Sequence, residues 1–129
     1  MPMPASDAGT GRRVVIVEDN RATADSLRQL LDMAGYQVRV AYDGPGGVMA
    51  AQEWPPEFVL CDIGLPGLDG YSVATALRQH PATARARLIA ITAYGSDEAK
   101  ARSREVGFER HFVKPVDPAV LLGLLAEGR

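Results

Sequence analysis

The chain has 129 residues, of which 47% are hydrophobic and 23% charged, fractions typical of one globular domain and not of a disordered chain. Its single cysteine, Cys61, excludes an internal disulfide and any cysteine-cluster metal site, which fits a reducing compartment. The net charge of −2 lacks the basic excess of DNA-binding modules, and no stretch approaches the roughly 18 apolar residues of a membrane span.

The N-terminal residues differ in composition from the rest of the chain. They are rich in Pro, Gly, Ala and Ser, and they contain neither the basic region nor the apolar region of a signal peptide. We therefore expect residues 1–11 to be a flexible tail and residues 12–127 to be one folded domain in the cytoplasm.

The first half of the chain alternates between strand and helix patterns. The unbroken apolar run at 14–17 is typical of a strand buried on both faces, and Asn20 is a suitable N-cap for the helix that follows. The Gly-rich stretch 43–47 predicts a turn. The predicted elements are strands at 14–17, 36–42 and 58–61 and helices at 21–34 and 48–53.

The second half continues the same alternation. Asp97 and Glu98 lie in the first turn of a predicted helix, where the helix dipole favours anions. Asp117 and Pro118 are a suitable N-cap and first residue for the last helix. The predicted elements are strands at 88–91 and 111–113 and helices at 71–79, 96–106 and from about 118, the last burying Val120, Leu121, Leu124 and Leu125.

This fivefold strand–helix alternation defines the fold class. Short connections between alternating strands and helices predict an α/β fold, with a parallel sheet covered by helices on both faces and right-handed crossovers. In such a sheet the carboxyl ends of all the strands meet at one edge, which is where ligands bind.

Polar residues follow four of the five predicted strands. Glu18 and Asp19 follow the first, Asp62 the third, Thr92 the fourth and Lys114 the fifth. Three carboxylates at one edge repel one another unless a cation lies among them, and an all-oxygen set of ligands suits Mg²⁺. One carboxylate can then act as a nucleophile, while the ammonium and the hydroxyl stabilise a transferred phosphoryl group. Three carboxylates, a hydroxyl and an ammonium at one edge of the sheet therefore predict phosphoryl transfer to an aspartate.

These motifs, in this order, resemble the response-regulator receiver domain of two-component signalling. The resemblance covers about Arg13 to Leu125 and implies a flavodoxin-like (βα)5 sandwich with strand order 2-1-3-4-5. The motifs that carry it are Glu18-Asp19, the stretch 61–70 around Asp62, Thr92-Ala93 and Lys114-Pro115.

The resemblance also implies roles for individual residues at the acidic edge. Asp62 is similar to the phosphoacceptor of the family. Asp19, Asp62 and the backbone carbonyl of Gly64 resemble its ligands for Mg²⁺ (or Mn²⁺), with Glu18 assisting through water.

The remaining residues of the pattern resemble the family's switch. Thr92 is similar to the switch hydroxyl of the family, and Lys114 is similar to the ammonium that pairs with the phosphoryl group. In the family the peptide bond that corresponds to Lys114–Pro115 is commonly cis. His111 stands where the family more often has Tyr or Phe, which adds a group that can titrate near neutral pH. Gly64 and Tyr94 correspond to positions that flank the phosphoryl group.

The function implied by the resemblance is phosphorelay signalling without multiple-turnover enzyme activity. The expected partners are a histidine kinase or histidine phosphotransfer protein and a downstream protein target, with no direct contact to nucleic acid or membrane. We expect no output domain within the chain. The open alternatives are the receiver module of a hybrid sensor histidine kinase, a degenerate receiver that serves only as a scaffold, and a phosphohydrolase. The phosphohydrolase is disfavoured because Asp62 does not begin an Asp-x-Asp motif and no P-loop is present.

Overall fold

A computed structural model describes residues 11–127, so residues 1–10 of the predicted tail lie outside the described part of the chain. Strands and helices alternate strictly along it, as the sequence pattern predicts. The strands are β1 (Arg13–Val17), β2 (Gln37–Ala41), β3 (Phe58–Cys61), β4 (Arg87–Thr92) and β5 (Phe108–Val113). The helices are α1 (Arg21–Met33), α2 (Gly44–Glu53), α3 (Gly70–Gln79), α4 (Asp97–Val106) and α5 (Pro118–Glu127).

The five strands form one parallel sheet in the order β2-β1-β3-β4-β5, which confirms the predicted fold. Val15 of β1 pairs with Arg39 on one side and with Val59 on the other. Because β1 has neighbours at both edges and helices over both faces, its β-branched residues from Val14 to Val17 are completely buried.

Each face of the sheet has its own hydrophobic core. Successive residues of a strand point to opposite faces, so Val15 and Val17 belong to one core, and Val14 and Ile16 to the other. The first core includes residues of α2 and α3, and the second includes residues of α1 and α5.

The predicted turn at 43–47 is wrong, because α2 begins at Gly44. The Asp43 side chain caps the helix by accepting a hydrogen bond from the Gly46 amide, at 2.7 Å. Pro45 lies in the first turn, where its missing N–H costs nothing. A Cβ on Gly47 would lie 2.5 Å from a methyl carbon of Val17, so glycine lets α2 pack directly on β1.

Two further expectations also differ from the structure. β5 begins at Phe108, three residues earlier than predicted, directly after Gly107, whose φ of 109° ends α4 in the left-handed region. Val120 is 52% exposed, not buried. The buried residues of α5 are Leu121, Leu124 and Leu125, and Val120 lies off that stripe. No helix within residues 11–127 is long and apolar enough to span a membrane.

Candidate active site

The backbone brings two of the acidic residues together at the ends of β1 and β3. The Glu18 amide donates to the Ala41 carbonyl at 3.0 Å, and the Asp62 amide donates to the Val17 carbonyl at 2.9 Å. These bonds continue the sheet one residue beyond the strands. Glu18 and Asp62 are therefore fixed side by side by the sheet and not by a mobile loop.

Glu18, Asp19 and Asp62 form a compact acidic cluster. One carboxylate oxygen from each lies within 4.8 Å of the others. Glu18 is 3% exposed and Asp62 is 8% exposed, whereas Asp19 is open to solvent. Buried carboxylates at this separation repel one another and require a compensating cation. The all-oxygen donor set, open on the Asp19 side, fits a hard divalent cation that keeps some of its water.

The ammonium of Lys114 compensates part of this charge. Its Nζ donates to Oε1 of Glu18 at 2.7 Å and to Oδ2 of Asp62 at 2.9 Å. The peptide bond between Lys114 and Pro115 is cis, as the resemblance implies. The Lys114 amide donates to the Thr92 carbonyl at 2.9 Å, which joins the end of β5 to the end of β4. Hydrogen bonds thus connect the carboxyl ends of β1, β3, β4 and β5 at this edge.

Burial and pairing shift two of the site's pKa values. Burial raises the pKa of Glu18, and this effect exceeds the lowering caused by the hydrogen bonds from Lys114 and from the Asn20 amide. Burial alone would lower the pKa of Lys114, but its hydrogen bonds to Glu18 and Asp62 outweigh burial and raise the pKa. The lysine therefore stays charged at neutral pH.

The second carboxylate oxygen of Asp62 is held by the following loop. Its Oδ1 accepts a hydrogen bond from the Gly64 amide at 3.0 Å. The ring of Tyr94 lies over Gly64, because a Cβ built there would be 3.2 Å from the Tyr94 hydroxyl oxygen. A side chain at position 64 would therefore meet the Tyr94 phenol, which lies against the loop that follows Asp62.

Thr92 and His111 are linked through the backbone of Tyr94. Thr92 is 1% exposed, and its Oγ1 accepts a hydrogen bond from the Tyr94 amide at 3.3 Å. Both ring nitrogens of His111 have a hydrogen-bond partner. Nε2 lies 2.6 Å from the Tyr94 carbonyl oxygen, and Nδ1 lies 2.7 Å from Oγ of Ser103.

Two residues near the site were not predicted from the sequence. A Cβ on Gly70 would lie 2.4 Å from the carbonyl oxygen of Asp62, so glycine there lets the start of α3 pack against the backbone of the candidate nucleophile. The only sequence signal is that Gly70 follows Asp69, the N-cap of α3. Ser103 has no such signal, because it lies within a highly charged helix.

Cys61 precedes Asp62 but points into the core under α2 and α3. Its thiol donates to the Asp62 carbonyl at 3.2 Å, and burial raises its pKa well above the ordinary value. A buried thiol with a raised pKa is not reactive, so Cys61 takes no part in the chemistry.

The response regulator receiver domain family model matches residues 14–126, and the chain belongs to this family. It is accordingly a receiver domain of two-component signal transduction, a class of domain that serves phosphorelay signalling.

Similar proteins include both short and long relatives. Protein PilH of Pseudomonas aeruginosa is 32% identical over 85% of this chain and 91% of its own length. The DNA-binding dual master transcriptional regulator RpaA of Synechocystis is 33% identical over 85% of this chain, which spans only 46% of that protein. The receiver domain of the sensor histidine kinase PA1611 of P. aeruginosa, solved with magnesium in its active site cleft, is 29% identical with a TM-score of 0.83. That match covers 92% of this chain and 97% of that one.

Proposed function

We propose that the chain accepts one phosphoryl group on a carboxylate oxygen of Asp62, from a histidine kinase or a histidine phosphotransfer protein. The observation that carries this proposal is the Lys114 ammonium, which lies within hydrogen-bond distance of both Glu18 and Asp62 at the edge where four strands end. A phosphohistidine donor, protonated on its other ring nitrogen, would lose its P–N bond as the P–O bond to Asp62 forms, and its ring would leave as neutral imidazole.

We infer that Asp19, Asp62 and the Gly64 carbonyl hold a Mg²⁺ ion, assisted by Glu18 through water, with Mn²⁺ able to replace it. Carboxylate oxygens are the hard ligands that these ions prefer, and the exposure of Asp19 leaves room for water and phosphoryl oxygens. When bound, the ion supplies charge neutralisation between Asp62 and the incoming phosphoryl group.

The chain's own residues then orient and stabilise the transferred group. The Gly64 amide fixes one oxygen of Asp62 and leaves the carboxylate in a defined orientation. Lys114 is already charged and donates to the other oxygen of Asp62. It can therefore donate to an oxygen of the phosphoryl group once that group is attached, without any proton transfer. The buried Thr92 hydroxyl exchanges its bond with the Tyr94 amide for one to a phosphoryl oxygen.

The experiment is incubation with acetyl phosphate and Mg²⁺, followed by intact mass spectrometry. We expect one phosphoryl group per chain, removed by hydroxylamine as an acyl phosphate, and no incorporation in Asp62→Asn. Asp43→Asn is the matched control, because Asp43 only caps α2 and asparagine is an equally good N-cap. Removal of the ion with EDTA is expected to abolish labelling.

The same assay separates the proposal from a phosphohydrolase. A receiver stops after one equivalent and releases phosphate at the rate at which its own acyl phosphate hydrolyses. Continued turnover of a phosphoester substrate, or labelling that survives Asp62→Asn, would contradict the proposal.

A further inference from the structure

The two outer strands of the sheet differ in regularity. Successive residues of β4 pair with Phe108 and Arg110 of β5, so Glu109 is an extra residue in that strand. A bulge of this kind bends an edge strand and interrupts its hydrogen-bonding pattern, which makes it a poor template for a further strand. β2, at the other edge, pairs in step with β1 over all five of its residues. The β2 edge therefore lacks the protection that the bulge gives β5.

The backbone of β2 is open on the side away from β1. The Gln37 amide donates to the Arg12 carbonyl at 2.8 Å, so the backbone groups of Gln37 point toward β1. These groups point to opposite sides at successive residues of a strand, so those of Val38 and Val40 point to the open side. Within residues 11–127 no strand lies there. Free N–H and C=O groups along a regular edge can pair with an edge strand of another molecule.

The amino-acid sequence of this edge favours such pairing. Residues 36–42 read Tyr-Gln-Val-Arg-Val-Ala-Tyr, which is rich in β-branched and aromatic residues and contains neither glycine nor proline. Short segments with these properties pair readily as strands unless a charge interrupts them. Arg39 is the only charged residue of the seven, and it lies at their centre. The resistance of the segment to pairing therefore depends on Arg39.

Trp54 holds the Arg39 side chain beside the edge. Val38 and Val40 pack on the core that includes α1 and α5, so Arg39 lies on the opposite face of β2. There its guanidinium lies 4.6 Å from the centre of the Trp54 ring. Arg39 is exposed and forms no salt bridge within residues 11–127. A strand that paired with β2 would therefore partly bury a charge that no carboxylate compensates.

We propose that Arg39 prevents the β2 edge from pairing with the β2 edge of a second copy of the chain. Two copies related by a two-fold axis through the middle of β2 would pair antiparallel, with the two Arg39 residues opposite each other. Because the backbone groups of Arg39 point toward β1, this would be a non-hydrogen-bonded pair, in which the side chains are closest. Like charges at such a pair of positions oppose association.

Arg39→Val tests the proposal, because it removes the charge and leaves a residue that suits a strand. Arg39→Thr removes the charge without adding an apolar side chain, and Arg39→Lys keeps the charge. Size-exclusion chromatography with light scattering measures the molar mass of each chain over a range of concentrations. We expect Arg39→Lys to have the mass of the parent chain, and both uncharged variants to reach at least about twice that mass as the concentration rises.

Arg13→Val is the matched control. The Arg13 guanidinium also lies over Trp54, 5.0 Å from the ring centre, but β1 has a neighbouring strand on both sides. This variant therefore loses an equivalent contact with the indole and keeps the charge on the edge, so its mass should equal that of the parent. Equal association of Arg13→Val and Arg39→Val would overturn the proposal, because a loosened Trp54 would then be the cause. Parent-like mass in Arg39→Val or in Arg39→Thr would overturn it as well.

Amide hydrogen exchange measured by NMR locates the contact between the copies. The Val38 and Val40 amides point to the open edge, so they should exchange quickly in the parent chain. In associated Arg39→Val they should exchange at least about fivefold more slowly, the factor that corresponds to gain of one net hydrogen bond. Unchanged exchange of both amides in the associated variant would overturn the proposal, because the copies would then associate through another surface.

Discussion

Gly70→Ala perturbs the packing of α3 against the backbone of Asp62. The added Cβ would lie 2.4 Å from the Asp62 carbonyl oxygen and 2.6 Å from Cα of Ile63, both of them backbone atoms that cannot rotate away. Forcing one methyl group into a packed site costs about 1–3 kcal/mol, which the gain in helix propensity of roughly 0.5–1 kcal/mol only partly offsets. We expect a net loss of about 1–2 kcal/mol in the free energy of unfolding.

Gly123→Ala is the matched control, because it adds the same methyl group within a helix. Nothing lies within 4 Å of a Cβ at Gly123, so only the propensity term remains and the variant should be more stable by roughly 0.5–1 kcal/mol. Urea unfolding followed by circular dichroism measures both changes. Because the strain at Gly70 displaces Asp62, labelling by acetyl phosphate should also slow in that variant alone. Equal stability changes at the two positions would contradict the close packing of Gly70 on the Asp62 backbone.

Three further predictions follow from contacts away from the Asp62 backbone. Arg78 donates to the carbonyls of Ala84, Ala86 and Gly107, so Arg78→Ala should cost about 3 kcal/mol in unfolding free energy, whereas Arg85→Ala should change it little. The hydrogen bond from Arg87 lowers the pKa of Glu109, so its contribution is present above the ordinary pKa of 4.5 and is lost as the pH falls through the lowered value. Glu109→Gln should therefore cost about 0.2–1 kcal/mol at pH 7 and nothing in acid, as measured by urea unfolding across pH; a constant difference would contradict this. Tyr94→Ala uncovers the Gly64 side of the carboxylate, so the acyl phosphate should hydrolyse severalfold faster, whereas Tyr94→Phe should keep most of the protection.

The fold could be predicted from the sequence because its signals are local. Strands buried on both faces, such as 14–17, give unbroken apolar runs, and the capping residue Asn20 marks where α1 begins. The turn predicted at 43–47 is wrong because glycine permits a turn but does not require one. In the structure Gly44 and Gly47 serve close packing against Leu68 and Val17, and that requirement is visible only when the neighbouring elements are in place.

The acidic edge was predictable for a related reason. Parallel strands bring their carboxyl ends to one edge, so the positions of Glu18, Asp62 and Lys114 in the sequence suffice to place them together. The bridge from His111 to Ser103 was not predictable. It depends on how α4 lies over β5, and nothing in a charged helix distinguishes its one buried serine from its exposed neighbours.

The position of the phosphoryl group tests the assignment of Asp62 as the phosphoacceptor most directly. The chain is labelled with acetyl phosphate and Mg²⁺, the acyl phosphate is reduced with borohydride, and the peptides are sequenced by tandem mass spectrometry. We expect a single reduced aspartate, at Asp62, in a reaction that fails without the divalent ion. Reduction at Asp19 or Glu18, or at several acidic residues in proportion to their exposure, would contradict the claim that this edge of the sheet orients one nucleophile.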